Sequence, residues 1–299
     1  FLNGITMYRL MLYALGVIAM IGIVLAFLGV LQLSGPWMVA SLVTLFLSTY
    51  ATNAVAARLF SMAQNAESSA ITALILFLIL FPADRPSDLI LIAFAGILAI
   101  ASKFLVTVHG RHLFNPAAFG AVLIGLFGWG ASWWIATSAM LPVVAVAGLL
   151  VVRKTRRAEL VTLCLLGFYM TLGITSADTT AFQALTSWPI VFFATMMLTE
   201  PLTLPARKGV QIVEALVVGA LLTVPFHLGP LYSTPELALL IGNLFGAAFG
   251  AKRLYRLTLE EKTEMSPGVF DFAFSSDRPV SFVPGQYLEW TVPLTGATD

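Results

Sequence analysis

The amino-acid sequence predicts an all-α polytopic membrane protein of ten transmembrane segments, followed by the truncated start of a β-barrel. Of its 299 residues, 59% are hydrophobic and only 10% are charged, whereas soluble domains carry about 25% charged residues. Beyond residue 254 the sequence becomes charged and alternates with the period of a strand. We therefore expect a transmembrane domain over residues 1–253 and an incomplete barrel over residues 254–299, and both ends of the chain look cut.

The ten segments are apolar stretches separated by turn signals and charges. They are Met7–Leu33, Trp37–Phe60, Ser69–Phe81, Leu89–Val108, Pro116–Trp129, Trp133–Val152, Leu160–Ile174, Pro189–Thr199, Val210–Phe226 and Pro235–Ala251. With a cytoplasmic N-terminus, almost all Lys and Arg residues before the tail face the cytoplasm, and only Arg85 faces outward. This bias fits the positive-inside rule. It predicts a multi-pass protein of the inner (plasma) membrane with both termini cytoplasmic.

Two of the segments are unusually short, the third and the eighth. They end at Pro82 and Pro201, and each is third in its half if the ten divide five and five. An eleven-residue helix spans about 16 Å, half of a ~30 Å hydrocarbon core. Short segments at matching places predict a 5+5 inverted repeat with two half-helices around a binding site. The alternative is that both are ordinary helices with misjudged ends.

Glu200 is the main candidate for a functional carboxylate, because it follows the short eighth segment directly. A carboxylate at membrane depth is expensive and often functional. Thr199 and Thr203 flank it. The alternative places Glu200 at the cytoplasmic interface in an ion pair with Arg207 or Lys208. Glu214, in the ninth segment, is open to the same two interpretations.

Two helix starts are candidates for ligand binding. Asn115 and Pro116 predict a capped helix whose free N–H groups favour an anion. Ser69 and Thr72 open the third segment, where hydroxyls cap a helix or bind a ligand. Taken alone, each motif equally predicts only a capped helix, the first with a basic loop that contains Lys103.

Several classes of function are excluded or disfavoured. The net charge of +1 implies no nucleic-acid partner. Cys164 is the only cysteine, so the chain does not supply the ligands of an iron–sulfur cluster. His109, His112 and His227 do not form the helix-borne pairs that membrane haem proteins use. We expect no metal site, and the sequence singles out no catalytic residue.

Three stretches together resemble a known family. They are S-S-A-I-T-A-L-I-L-F-L-I-L-F-P, K-F-L-V-T-V-H-G-R-H-L-F-N-P-A-A and M-M-L-T-E-P-L-T-L-P. In this order they are similar to the related membrane subunits of two respiratory complexes, the sodium-pumping NADH:quinone oxidoreductase and the Rnf complex, over Met7 to Lys252. The resemblance implies ten helices, an inverted repeat, flavin binding and electron transfer across the membrane.

The resemblance places a flavin among residues of these motifs. Those residues are Ser69, Thr72, Lys103, Asn115, Thr199, Glu200 and Thr203. In the family a Ser-x-Ala-Thr type sequence carries covalent FMN, and the connection Gly128–Trp133 lacks it. We therefore expect noncovalent FMN or riboflavin.

The tail contains F-V-P-G-Q-Y, ending in Gln286 and Tyr287, after the strand pattern of Val269–Phe274. This resembles the FAD-binding barrel of ferredoxin–NADP reductase-like enzymes and implies FAD at Gln286 and Tyr287. The alternative is any small β domain. The reductase interpretation implies NAD(P)H as electron donor beside the membrane domain.

The predicted function is a membrane flavoprotein within a flavin-dependent NAD(P)H oxidoreductase. It would pass electrons from a cytoplasmic NAD(P)H/FAD module to a membrane acceptor such as a quinone, with Na⁺ or H⁺ transport as the coupled step. Two alternatives stay open at this point. One is a solute or ion transporter or channel built on the half-helices, and the other is a passive membrane anchor for the reductase.

Overall fold

The computed structural model describes residues 4–60, 66–108, 111–176, 178–250 and 255–280. The chain divides into two units, Phe1–Ala251 and Lys252–Asp299. The first unit is helical and the second contains a β-hairpin. The identities that the sequence predicts for the two domains stay predictions.

The first unit is built from helices joined by short connections. They are α1 (Met7–Phe27), α2 (Gly35–Leu59), α3 (Ala66–Ile79), α4 (Asp88–Leu105), α5 (Pro116–Gly125), α6 (Leu141–Thr155), α7 (Ala158–Thr175), α8 (Ala181–Ser187), α9 (Ile190–Phe192), α10 (Lys208–Leu221) and α11 (Pro235–Phe249). A π-helical turn, Phe193–Met197, follows α9 directly.

The prediction of ten transmembrane segments in a 5+5 inverted repeat with two half-helices is wrong. Within the described residues, four helices are long and apolar enough to cross a membrane: α1, α2, α4 and α7. Helix α5 has ten residues and α10 has 14, short of the roughly 20 that a crossing needs. The transporter alternative rested on the two half-helices and loses that support.

The predicted segments are too long in places because some apolar runs of this chain are not helical along their whole length. The fifth and sixth predicted segments nearly meet at residues 129–133, but the chain turns there. Gly128 (φ 83°) and Trp133 (φ 49°) adopt left-handed backbone conformations, which do not occur within a right-handed helix. Helix α6 therefore starts only at Leu141.

Helix α3 shows why hydropathy alone misleads. From Thr72 to its last residue, Ile79, every residue is buried, and the buried run continues through Leu80. A helix that is apolar on all sides is buried in protein or in lipid, and composition does not tell the two apart. Here the neighbours are protein, since α1, α2, α4 and α5 all pack against α3.

The second half of the unit is held by close helix contacts. Helix α10 packs between α7 and α11. A Cβ at Gly219 of α10 would collide with the Cys164 carbonyl of α7, and a Cβ at Gly167 of α7 would collide with the Leu216 carbonyl of α10. The two glycines thus permit backbone-to-backbone contact between the helices.

Two minimal hairpins join helices in the first unit. Strand β1 (Thr107–Val108) pairs with β2 (Arg111–His112) between α4 and α5. Strand β3 (His227–Leu228) pairs with β4 (Leu231–Tyr232) before α11. The first hairpin matters for the site, because it brings His112 back towards the end of α4.

The second unit, as described up to residue 280, contains an antiparallel hairpin of β5 (Leu257–Ser266) and β6 (Val269–Ser276). Gly268 turns between them with φ 78°. The strand predicted at Val269–Phe274 is confirmed. The predicted barrel start is wrong for the described residues, which form a two-stranded hairpin and no barrel. Gln286 and Tyr287 lie outside the described residues.

Candidate functional site

Residues from all three motifs of the family resemblance meet in one place. Lys103 Nζ donates hydrogen bonds to the Ser68 carbonyl (3.0 Å) and to Ser68 Oγ (2.9 Å). Glu200 Oε2 accepts a hydrogen bond from Asn115 Nδ2 (2.7 Å), and Glu200 Oε1 lies 3.3 Å from His112 Nε2. The Glu200 carboxylate also attracts the Lys103 ammonium group. We call these five residues the Glu200 cluster.

Asn115 reaches the cluster because it caps α5. Its Oδ1 accepts a hydrogen bond from Ala118 N (3.0 Å), and Pro116 takes the first helical position. The predicted cap is therefore confirmed. With Oδ1 on the helix, the Nδ2 group is left to donate outward, and it donates to Glu200.

A second link runs from Asn115 to α11. The backbone N–H of Asn115 donates to Asn243 Oδ1 (2.9 Å), and both residues are 2% exposed. One residue thus ties the start of α5 to α11 through its backbone and to Glu200 through its side chain.

Glu200 is positioned by the end of the π-helical turn. Thr199 Oγ1 donates to the Thr195 carbonyl (2.7 Å), and Glu200 N donates to the Met197 carbonyl (3.3 Å). Pro201 then prevents a further helical turn. A π-helical turn often occurs at a functional site, and here it aims the next carboxylate at α5.

The π-helical turn packs closely on α6. A Cβ at Gly148 would lie 2.5 Å from Thr195 Oγ1. A larger residue at Gly148 would therefore displace the turn that carries Glu200. No sequence motif marks this glycine, and its role follows from the packing against Thr195.

The cluster is shielded but not closed. The side chain of Glu200 is 24% exposed and that of His112 is 10% exposed. Asn115 is fully packed. A small group can therefore reach the Glu200–His112 side of the cluster more readily than the Asn115 side.

Three of the predicted site residues belong to the Glu200 cluster, and the threonines among the others bond backbone carbonyls. Lys103, Asn115 and Glu200 meet. The hydroxyls of Thr72 and Thr199 donate to carbonyls of their own helical segments, and Thr203 Oγ1 donates to the Glu200 carbonyl at 3.4 Å.

Ser69 is buried at the start of α3, next to Ser68 in the chain. Ser68, which was not singled out as a site residue, contacts Lys103. Nothing in the sequence separates two adjacent serines, because the choice depends on how α3 is rotated against α4.

The alternative ion pair of Glu200 with Lys208 does not form. Lys208 Nζ instead lies 2.9 Å from Glu159 Oε2, and both side chains are largely exposed. Glu200 is bonded within the cluster, at the side of His112 and Asn115.

Two further residues, His112 and Asn243, also bear on the site. His112 was weighed only as a haem ligand, and its role as a partner of Glu200 depends on the β1–β2 hairpin. Asn243 carried a usable signal, since it is a lone amide in the apolar run of α11. Buried amides need a hydrogen-bond partner.

No protein-family model matches this chain, and a comparison with curated proteins finds no match. The resemblance that the three motifs carry therefore stays a prediction.

Proposed function

We propose that this chain is the membrane part of a flavin-dependent NAD(P)H oxidoreductase, which passes electrons to a membrane acceptor such as a quinone. The convergence of the three motifs in the Glu200 cluster is the observation that supports it most. Residues that are far apart in sequence and carry the resemblance lie near one another. They form two hydrogen-bonded groups, Ser68 with Lys103 and Glu200 with His112 and Asn115, and the charges of Lys103 and Glu200 attract each other. Ionisable residues among apolar helices are expensive, and they usually face a functional site.

The proposal includes a position in the inner (plasma) membrane with cytoplasmic termini. Arg9 opens α1 and Arg58 lies in the last turn of α2, while the connection between these helices carries neither Lys nor Arg. This is the asymmetry that the positive-inside rule describes. Arg9 and Arg58 would then both face the cytoplasm, on the same side as the N-terminus.

The donor set of the Glu200 cluster fits the polar edge of a flavin. A flavin edge alternates carbonyl and N–H groups, and the cluster offers an ammonium group, an imidazole and a carboxylate. The Asn115 amide is already bonded to Ala118 N and to Glu200. Lys103, His112 and Glu200 would contact noncovalently bound FMN or riboflavin. The hydroxyls of Thr72 and Thr199 already donate to backbone carbonyls, so we assign them no donor role.

When bound, the flavin supplies the electron-transfer chemistry. Lys103 places positive charge next to the carboxylate of Glu200 and would favour an anion nearby. His112 and Glu200 share a hydrogen bond, so a proton can be held at Nε2 or at Oε1. Asn115 orients the carboxylate through its short bond to Oε2.

The second unit would belong to the electron-donating side. We propose that it is part of an FAD-binding domain that oxidises NAD(P)H. The β5–β6 hairpin supports a β domain, and the P-G-Q-Y sequence supports the reductase class.

Flavin binding tests the proposal directly. The full chain, purified in mild detergent, is titrated with FMN and with riboflavin while flavin fluorescence is recorded. One lost cluster contact of about 1.5 kcal/mol weakens binding about tenfold, so we expect saturable quenching that is weakened by about this factor in each of Lys103→Met and Glu200→Gln. The control is Glu159→Gln, which removes an exposed carboxylate and should bind like the unmodified chain.

Two results would count against the proposal. One is the absence of saturable flavin binding by a folded chain. The other is an equal loss of affinity in Glu159→Gln and Glu200→Gln, since that would indicate a general effect of charge and not a site at the cluster. An anchor without a redox role predicts the first result.

A further inference from the structure

Glu214 is a buried carboxylate that the proposed flavin site does not use. It lies in α10, is 1% exposed, and neither Oε atom has a hydrogen-bond partner of ordinary geometry within the described residues. The Asn243 amide of α11 is the polar group that faces it. This contact is weaker than the bonds in the Glu200 cluster.

Two glycines of α11 form the wall opposite Glu214. A Cβ at Gly242 would lie 3.4 Å from Glu214 Oε1, and a Cβ at Gly246 would lie 3.3 Å from Oε2. Pro205 closes the same side, 2.9 Å from the Gly246 position. The carboxylate is therefore enclosed by backbone and apolar atoms.

Charged and titratable groups on the neighbouring elements are engaged elsewhere or do not bond Glu214. On α7, Glu159 pairs with Lys208, and Cys164 is buried. On α11, Glu236 accepts a hydrogen bond from Trp133 Nε1 (3.1 Å). None of them gives Glu214 a hydrogen bond in the part of the chain that the structure describes.

An enclosed carboxyl group that has one weak donor and no counter-charge is far more stable when neutral. A proton supplies that neutrality and needs no extra ligands. A metal cation such as Na⁺ needs several oxygen ligands, and the described residues contain no group of three or more acidic, His or Cys side chains that could hold a metal ion.

Glu214 is linked to the Glu200 cluster through two amides. Asn243 Oδ1 accepts from Asn115 N, which leaves the Asn243 NH₂ group to face Glu214. Asn115 in turn donates to Glu200. Loss of a proton from Glu214 would draw the Asn243 NH₂ group towards the new charge and alter its bond to Asn115.

We propose that Glu214 is a proton-binding site whose occupancy is transmitted to the Glu200 cluster through Asn243 and Asn115. The binding site stands on the burial and contacts of Glu214 alone. Only its coupling to electron transfer rests on the proposed function, to which it adds H⁺ as the coupled ion.

Infrared spectroscopy of the full chain in lipid nanodiscs tests the site without any activity assay. A protonated carboxyl group gives a C=O stretching band separate from that of a carboxylate, and the band shifts in D₂O. We expect a band at neutral pH that is lost in Glu214→Gln and retained in the control Glu159→Gln. The D₂O shift assigns the band to a carboxyl group, and retention of the band in Glu236→Gln excludes the buried glutamate of α11 even if Glu214→Gln does not fold.

A spectrum of folded Glu214→Gln identical to that of the unmodified chain would overturn the proposal. So would loss of the Glu214 band on addition of NaCl at constant pH, because Na⁺ would then be the occupant. For the link, we expect Asn243→Ala to shift the Glu214 band and also to weaken flavin binding. An unshifted band would overturn the link.

The outcomes separate this inference from the proposed function. A Glu214 band without flavin binding refutes the proposed function and leaves the proton site in place. Flavin binding without a Glu214 band supports the proposed function and refutes the proton site.

Discussion

Two glutamates of the helical unit, Glu200 and Glu214, lie in opposite environments. Glu200 has an amide and an imidazole as direct partners and an ammonium group nearby, and its side chain is 24% exposed. Glu214 is 1% exposed, and among the described residues its polar contact is the weak one with Asn243. A charge is well supported at the first position and poorly supported at the second. The comparison indicates a group that holds charge beside one that holds a proton.

The two environments differ because Glu200 lies at the end of a helical segment and Glu214 lies in the middle of a helix. Glu200 follows a helical segment at a proline, close to the start of α5, where a side chain meets exposed N–H groups and turns. Glu214 lies in the middle of α10 against backbone, where the neighbours have satisfied their own hydrogen bonds. The same residue type therefore acquires two roles from its position in the fold.

The largest expected effect is that of Asn115→Ala, which removes both hydrogen bonds of the Asn115 side chain. It removes the α5 cap, worth about 1 kcal/mol, and the hydrogen bond to the Glu200 carboxylate, worth about 1.5–3 kcal/mol. We expect a loss of about 2–4 kcal/mol in the free energy of unfolding, measured by denaturant titration in detergent. Asn115→Asp restores the cap but not the donor to Glu200, so its stability should exceed that of Asn115→Ala by no more than about 1 kcal/mol. Full recovery in Asn115→Asp would contradict the role of Glu200.

Glu200→Gln should destabilise the chain by about 1–2 kcal/mol, because hydrogen bonds to a charged group are weakened to neutral ones. The amide also leaves the Lys103 charge without its neighbour. The same denaturant titration measures it, with Glu159→Gln as control. Equal stability of Glu200→Gln and the unmodified chain would show that the cluster contributes no net electrostatic stabilisation.

Much of the local structure follows from the sequence, and the membrane topology does not. Asn115 followed by proline predicted the α5 cap, and Val269–Phe274 predicted a strand, because caps and alternation depend on adjacent residues. The extent of α6 was not predictable from hydropathy, since the positive φ angles at Gly128 and Trp133 depend on how the connection packs. The ten-segment count failed because only four helices of the described residues are long and apolar enough to cross a membrane.

The sequence predicted several residues of the candidate site, but it did not predict which of them contact one another. Glu200, Asn115 and Lys103 were singled out separately, by a proline-terminated helix, a cap and a motif. That they meet, and that Ser68 and His112 join them, depends on the rotation of α3 and on the β1–β2 hairpin. Asn243 is distant in sequence from Asn115, to which it bonds, and no local pattern connects the two.

Replacement of Glu214 should reverse the sign of the effect seen at Glu200. Glu214→Leu removes a buried polar group that lacks good partners, and such groups cost about 1–3 kcal/mol when unsatisfied. Part of this gain is offset by a changed fit against Gly242 and Gly246, so we expect stabilisation of about 1 kcal/mol at neutral pH. Denaturant titration of Glu214→Leu, with Glu214→Gln measured in parallel, tests whether the free energy of unfolding rises. Destabilisation by both variants, of which Glu214→Gln is isosteric, would mean that the carboxyl group has a stabilising partner.

The smallest effect should come from Glu159→Gln, which breaks the pair with Lys208. The side chains of Glu159 and Lys208 are 53% and 73% exposed, and exposed pairs contribute about 0–1 kcal/mol. We expect a change below about 0.5 kcal/mol in the same titration, and less at high salt because screening weakens what remains. A loss of unfolding free energy as large as that of Glu200→Gln would show that the Glu200 cluster is no more important for stability than an exposed ion pair. It would mean that the link between α7 and α10 at this end, and not the Glu200 cluster, governs the stability of the helical unit.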